Sequence, residues 1–133
     1  MTTKRVVFLD DDPIRCKFFQ SAIPSAVIVT TAEEVQAVLA DRENQVDILL
    51  LDHDLGGEIY VDPELENSGS GVVRWMRKHN PPVGRIIVHS YNGPAAAAMC
   101  QDLTAIDYRA EYLPFSPRLV DMVTAYMREL GNE

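Results

Sequence analysis

Short, mostly apolar runs recur along the chain, each four or five residues long and rich in β-branched side chains. Such runs are typical of strands that are buried on both faces of a parallel sheet. We predict strands at residues 6–9, 26–29, 47–51 and 85–88, and a weaker edge strand at residues 108–113. The run at residues 47–51 is the most apolar and is expected at the centre of the sheet.

Segments with apolar residues at helical spacing separate the predicted strands. Their starts carry capping residues or prolines, which favour the first helical positions. The predicted helices begin near Asp12–Pro13, Thr31, Ser68 or Ser70, Pro94 and Ser116–Pro117. Strands that alternate with helices predict an α/β fold, in which a parallel sheet carries helices on both faces.

Length and composition predict one globular domain over residues 1–133, with 47 % hydrophobic residues. The net charge of −8 argues against broad binding to a nucleic-acid backbone. We expect no membrane association, because the N-terminus does not resemble a signal peptide and no apolar stretch approaches about 20 residues. The two cysteines, Cys16 and Cys100, have no CxxC spacing. We therefore expect reduced thiols and a cytoplasmic protein, although sequence alone leaves a disulfide open.

Polar residues cluster directly after three of the predicted strands. In open parallel sheets this edge is where ligands bind. The residues concerned are Asp10, Asp11, Asp52, His53, Asp54, His89, Ser90 and Asn92. Carboxylates that are crowded together either shift their pKa values or bind a divalent cation, and oxygen ligands favour Mg²⁺ or Mn²⁺. The alternative for Asp11 or Asp12 is a simple helix cap, which would explain one aspartate but not three strand ends.

Two of the three histidines, His53 and His89, lie at these strand ends. Side chains alternate between the two faces along a strand. If Asp52 and Ser90 point into one pocket, the two imidazoles share the other parity and face each other on neighbouring strands. Paired imidazoles suit acid–base chemistry on a phosphodiester near neutral pH. For each histidine taken alone, a structural hydrogen bond to the backbone is an equally good reading.

A polar, acidic segment at residues 58–70 comes after the polar residues that end the third predicted strand. It is long for a strand-to-helix connection, for which about two to six residues are usual. It either covers a site or is a tolerated surface insertion.

The runs FLDDDP and DILLLDHDL, together with Ser90 at the end of the fourth strand, resemble response-regulator receiver domains. The resemblance implies a flavodoxin-like three-layer sandwich with strand order 2-1-3-4-5. It also implies Asp52 as phosphoacceptor, Asp10 and Asp11 as metal ligands, and Asp54 as a metal ligand through its carbonyl. Ser90 matches the switch hydroxyl, but Leu113 stands where receivers carry a lysine.

A narrower resemblance rests on LDHDLG, a following Ser-Gly pair and the HSYN run at residues 89–92. These motifs, in this order, resemble the cyclic-phosphate processing receiver-like family over about residues 6–99. The resemblance implies phosphoester chemistry on cyclic phosphate ends or nucleotides.

Three functional hypotheses follow. The first is a Mg²⁺- or Mn²⁺-dependent phosphoesterase that acts on a phosphate-bearing small molecule or nucleic-acid end. In it Asp52, His53, His89, Ser90 and Asn92 are the catalytic candidates. The second is a stand-alone receiver that a histidine kinase phosphorylates on Asp52. The third is a binding-only domain. The missing lysine and the two histidines favour the first.

Overall fold

The computed structural model describes residues 5–57 and 60–131. Five strands and five helices alternate along them. Their bounds are β1 Val6–Leu9, α1 Pro13–Ala22, β2 Val27–Val29, α2 Ala32–Ala40, β3 Val46–Leu51, α3 Gly69–His79, β4 Val83–Val88, α4 Gly93–Ala105, β5 Ala110–Tyr112 and α5 Pro117–Gly131. The strands form one parallel sheet in the order β2-β1-β3-β4-β5, which confirms the predicted fold class and strand order.

Apolar side chains on the two faces of the sheet form two separate cores. Helices α2, α3 and α4 pack on one face, against Val7, Leu49 and Val88. Helices α1 and α5 pack on the other, against Phe8 and Leu50. Each fully buried side chain of this size contributes about 1.5–3 kcal/mol, so the continuous apolar runs explain why the central strands form.

The parallel register brings the polar strand ends together. Leu9 pairs with Leu51, and Leu51 pairs with Val88. The ladder continues one residue further, because the Asp52 amide donates to Leu9 O and the His89 amide donates to Leu51 O, at 3.1 Å and 3.0 Å. The residues that follow β1, β3 and β4 therefore leave the sheet side by side.

The helix starts follow the predicted capping residues with one adjustment. Asp12, Thr31 and Ser68 are N-caps, so the alternative of a Ser70 cap is wrong. Ser68 Oγ accepts from the Gly71 amide at 3.0 Å, which leaves the Ser70 hydroxyl available for another partner. Within the described residues, no helix has the length and apolar character needed to cross a bilayer.

Candidate functional site

Three carboxylates converge where β1 and β3 end. Asp10, Asp11 and Asp52 each offer an oxygen atom, and these atoms lie within 4.8 Å of one another. Asp10 and Asp52 are buried, and Asp11 is partly exposed. We call this group the acidic cluster. It contains three of the four predicted metal ligands.

Burial and charge perturb Asp52 in this cluster. Desolvation and the negative charge of Asp10 raise the pKa of Asp52 to about 7. The His53 amide, Arg15 and the Ser90 hydroxyl oppose that rise by stabilising the carboxylate. Burial and the Asp10 charge thus destabilise the ionised form of Asp52. A cation in addition to Arg15 would stabilise that carboxylate, which favours metal binding at this position.

Arg15 is a residue of the site that the sequence patterns did not single out. Its Nε and Nη2 atoms donate to the two oxygens of Asp10, at 2.7 Å and 3.0 Å. Its Nη1 atom lies 3.1 Å from Asp12 Oδ2, and its Nη2 atom lies 3.8 Å from Asp52 Oδ2. The hydrogen bond to Asp10 is the main reason that the pKa of Arg15 is raised. The i,i+3 spacing of Asp12 and Arg15 was the available sequence signal.

An open cleft of about 510 Å³ lies over the acidic cluster. Its walls combine four aspartates with one arginine, one histidine and one tyrosine. The lining residues are Asp11, Asp12, Pro13, Arg15, Asp52, Asp54, Gly57, His89 and Tyr91. Among the described residues that line the cleft, Arg15 is therefore the only lysine or arginine.

His89 is buried but borders this cleft. Its Nε2 atom lies 3.0 Å from Leu9 O, and because a carbonyl can only accept, that nitrogen carries the proton. The Nδ1 atom lies 3.8 Å from Asp10 Oδ2, and the ring stacks on Phe8. Burial lowers the pKa of His89 to about 4 despite the nearby Asp10 charge. His89 is thus neutral at pH 7, with a lone pair at Nδ1.

His53 lies in a different environment, on the α3 side of the sheet. Its Nδ1 atom is 2.9 Å from Asp54 Oδ1, and its Nε2 atom is 3.1 Å from Ser70 Oγ. The ring is fully buried. We call Ser70, His53 and Asp54 the His53 chain. It links the start of α3 to the end of β3.

The expectation that the two imidazoles face each other is wrong. The register pairs Leu51 with Val88, so Asp52 and His89 share one face, while His53 and Ser90 share the other. His89 accordingly stacks on Phe8, in the core under α1 and α5. The expectation placed Asp52 level with Ser90, one residue out of register, and a shift of one residue exchanges the faces.

Asp54 and Asn92 lie at the rim of the site and are hydrogen-bonded to each other. Asp54 Oδ1 accepts hydrogen bonds from the Val61 amide at 2.9 Å and from Asn92 Nδ2 at 3.2 Å, besides its contact with His53. Burial raises the pKa of Asp54, but these hydrogen bonds outweigh it and leave the pKa lowered. Asn92 also caps α4 through the Ala95 amide. The Asp54 carboxylate is therefore engaged in a structural network and lies outside the acidic cluster.

Ser90 and the segment after β3 complete the surroundings. Ser90 Oγ accepts from the Asn92 amide at 3.0 Å. Asp11 Oδ2 accepts from the Gly57 amide, and Gly57 has a φ of 79°, which few residues other than glycine adopt. Gly57, which directly precedes the long segment, thus forms part of one wall of the cleft. The predicted segment at residues 58–70 includes positions 58 and 59, which lie outside the described residues.

The donor set of the acidic cluster fits a small hard cation. Its three side chains supply only carboxylate oxygens, which Mg²⁺ and Mn²⁺ prefer over nitrogen or sulfur donors. The oxygens are close enough to share one ion, and the open cleft leaves room for water or phosphate in the remaining positions.

Comparison with known families agrees with this geometry. The model of the family "Cyclic-phosphate processing Receiver domain" matches residues 5–105. The chain belongs to this family. The match includes β1 to α4 and every residue of the acidic cluster and the His53 chain. A search of curated proteins finds no match.

Several solved structures of response regulators and receiver domains have the same fold. A response regulator from Colwellia psychrerythraea has a TM-score of 0.66 at 19 % identity, with 98 % of each chain covered. The CheY-like receiver of Methanospirillum hungatei JF-1 has a TM-score of 0.65 at 16 % identity, again with 98 % of each chain covered. The BeF3-activated receiver domain of RstA from Klebsiella pneumoniae has a TM-score of 0.59 at 16 % identity, covering 94 % of this chain and 99 % of that one. At these identities the likeness concerns the fold alone.

Proposed function

We propose that this receiver domain is a phosphoesterase that depends on Mg²⁺ or Mn²⁺ and acts on a cyclic phosphate end or nucleotide. The observation that carries the proposal is the convergence of Asp10, Asp11 and Asp52 beneath an open cleft. The family description and the polar walls of the cleft support it.

Asp10, Asp11 and Asp52 would hold the cation, and the Asp54 backbone carbonyl is a further proposed ligand. When bound, the cation would polarise a phosphoryl oxygen and lower the pKa of water. Asp52 would remain ionised beside it. The Ser90 hydroxyl, which already stabilises the Asp52 carboxylate, would keep that carboxylate oriented.

The two histidines would have different tasks. His89 borders the cleft and has a lone pair at Nδ1, so it would accept a hydrogen bond from an attacking water and orient it. Its lowered pKa makes it a weak base at neutral pH, which favours orientation over full proton removal. His53 would act as a positioning residue, because both of its ring nitrogens are engaged away from the cleft. Asn92 would position Asp54 in the same way.

The proposed ligand is a phosphate-bearing small molecule or the end of a nucleic acid. The cleft volume of about 510 Å³ suits a nucleotide-sized group, since ligand pockets usually measure about 300–1,000 Å³. Tyr91 is 63 % exposed at the rim, and its hydroxyl is anchored on Phe115 O. An anchored aromatic ring of this kind is a suitable stacking surface for a base.

The deciding experiment is hydrolysis of a panel of 2′,3′-cyclic nucleotides with Mg²⁺ or Mn²⁺. We expect turnover that EDTA removes and that Asp52→Asn abolishes. His89→Ala should lower kcat by up to about 10²-fold, the loss that misplacement of a reacting group can cause. His79→Ala is the matched control, because His79 is exposed and contacts Trp75 at the far end of α3. Absence of turnover across the panel would contradict the proposal.

A second candidate function is phosphoacceptor signalling, with a histidine kinase as partner. Asp52 has the receiver position after β3, and the Ser90 hydroxyl lowers its pKa by favouring the carboxylate. The fold is shared with the BeF3-activated RstA receiver. Acetyl phosphate should then add one phosphoryl group to the intact protein in native mass spectrometry, and Asp52→Asn should remove it. No labelling in the presence of Mg²⁺ would contradict this second function.

We also propose a reducing compartment, the cytoplasm. Cys16 packs with the core under α1 and α5, whereas Cys100 packs with the core on the other face of the sheet. The sheet separates the two free thiols, so they cannot pair with each other.

A further inference from the structure

Arg15 occupies an unusual position in the site. Its guanidinium nitrogens make four contacts with aspartates, and its fork binds both oxygens of Asp10. Asp10 is also a member of the acidic cluster. A cation that binds to the acidic cluster would therefore compete with Arg15 for the same carboxylate.

The charge of the cleft creates a second requirement. Four aspartates line it against one arginine, so the cleft by itself repels a phosphate group. Leu113 stands where receiver domains have a lysine, and its amide only continues the sheet by donating to Val88 O. Of the lining residues within the described part of the chain, Arg15 alone carries a permanent positive charge.

The geometry of the guanidinium group suits a phosphate as well as a carboxylate. Its planar fork binds two oxygens at once, which a lysine ammonium cannot do. The Arg15 side chain is 26 % exposed at the cleft wall, so it is not locked into the core. A divalent cation beside Asp10 would repel the guanidinium and offer the carboxylate a stronger partner.

We propose that Arg15 is the phosphate-anchoring residue of the cleft, and that a divalent cation releases it for this task by taking over Asp10. This inference rests on the proposed function, because it requires the metal site. Arg15 is then the substitute for the missing lysine, reached from α1 instead of from the end of β5. Linkage requires the coupling to be reciprocal: the cation raises the affinity for phosphate, and phosphate raises the affinity for the cation.

The test uses Arg15→Gln with two probes, Mn²⁺ and inorganic phosphate. Titration of Mn²⁺, followed by electron paramagnetic resonance of the free ion, should show about tenfold tighter binding in Arg15→Gln, because a competing charge has gone. Calorimetric titration of phosphate in saturating Mg²⁺ should show about tenfold weaker binding, because the fork has gone. The two effects have opposite signs, and neither readout depends on turnover.

Two further variants separate charge, shape and folding. Lys17→Gln is the matched control, since it removes the same charge from an exposed position of α1 and should change neither affinity. Arg15→Lys keeps the charge without the fork, so Mn²⁺ affinity should stay near that of the wild type while phosphate binding weakens. It also provides a folded reference if Arg15→Gln is unstable.

The outcomes distinguish this inference from the function on which it rests. If the wild type binds Mn²⁺ but Arg15→Gln and Arg15→Lys bind phosphate as it does, the role of Arg15 is overturned and the metal site stands. If both affinities fall together in Arg15→Gln, Arg15 is only structural and the inference is overturned. If the wild type binds no Mn²⁺, the metal site fails and this inference fails with it.

Discussion

His53 and His89 look alike in the sequence, since each lies within two residues of the end of an apolar strand, beside an oxygen-bearing side chain. In the folded protein their surroundings differ. His53 has both ring nitrogens engaged, by Asp54 and Ser70. His89 donates from Nε2 to Leu9 O and borders the open cleft. Both ring nitrogens of His53 therefore have a partner, whereas His89 keeps a lone pair at Nδ1 beside the cleft.

The same contrast applies to the two carboxylates of the DHD run. Asp54 accepts several hydrogen bonds, which lower its pKa against the effect of burial. Asp52 is buried beside Asp10, which raises its pKa to about 7. The Asp54 environment is electrostatically satisfied, and the Asp52 environment is not. Side chains that lower the stability of the folded protein, such as the Asp52 carboxylate at this sheet edge, are typical of functional sites.

The sharpest test of this contrast is removal of His53. His53→Ala should lower the free energy of unfolding by about 3 kcal/mol, because it leaves a cavity and unpairs Asp54 and Ser70. Urea unfolding measures this loss, and His79→Ala is the exposed control. A loss below about 0.5 kcal/mol, the range of ordinary surface substitutions, would show that the His53 chain does not stabilise the fold.

Asp52→Asn should raise the free energy of unfolding, in contrast to His53→Ala. The folded protein raises the pKa of Asp52 from 3.8 to about 7, so the native state holds a proton that the unfolded chain has lost. The stability of the wild type therefore falls as the pH rises from about 4 to 7. The side-chain amide of the variant does not ionise, so the variant does not lose stability in this way. Without metal at pH 8 we expect Asp52→Asn to be more stable by on the order of 2 kcal/mol, with the advantage vanishing near pH 4. Thermal unfolding at both pH values measures it, and a destabilised Asp52→Asn at pH 8 would contradict it.

His89 should make the free energy of unfolding rise with pH, which is the opposite of the Asp52 effect. Burial lowers its pKa from 6.5 to about 4, so the unfolded chain takes up the proton first as the pH falls. Its contribution is complete above pH 6.5 and is lost as the pH falls to 4, by about 1 kcal/mol per pH unit. His89→Gln should remove this acid loss, so its stability relative to the wild type should rise on acidification. A difference that is constant from pH 7 to 4 would exclude a buried neutral His89.

Ser70→Ala should produce the smallest effect of this set. It removes one hydrogen bond to His53 and leaves the Asp54 partner in place. We expect a loss of about 1 kcal/mol in unfolding free energy. Ser68→Ala is an instructive comparison, because Ser68 is the N-cap of α3 and its loss should cost a similar amount without affecting His53. Imidazole NMR signals of His53 should shift in Ser70→Ala only, and unchanged signals there would contradict the contact.

The architecture, and the edge where the polar residues gather, could be predicted from the amino-acid sequence. Apolar runs such as residues 48–51 can only be buried on both faces, and their alternation with amphipathic helices leaves few arrangements. Proximity of Asp10, Asp11 and Asp52 follows, because the carboxyl ends of parallel strands meet at one edge.

The surroundings of each polar side chain at that edge depend on the packing of distant segments. A one-residue difference in register assigned His53 and His89 to opposite faces, and no local pattern encodes that register. The contacts of Arg15 with Asp10 and Asp52 also required the folded protein, because these aspartates follow different strands and meet Arg15 only after the sheet and α1 have packed. Burial and contacts between distant segments set the charge state and the availability of a side chain, and these quantities exist only once the chain is folded.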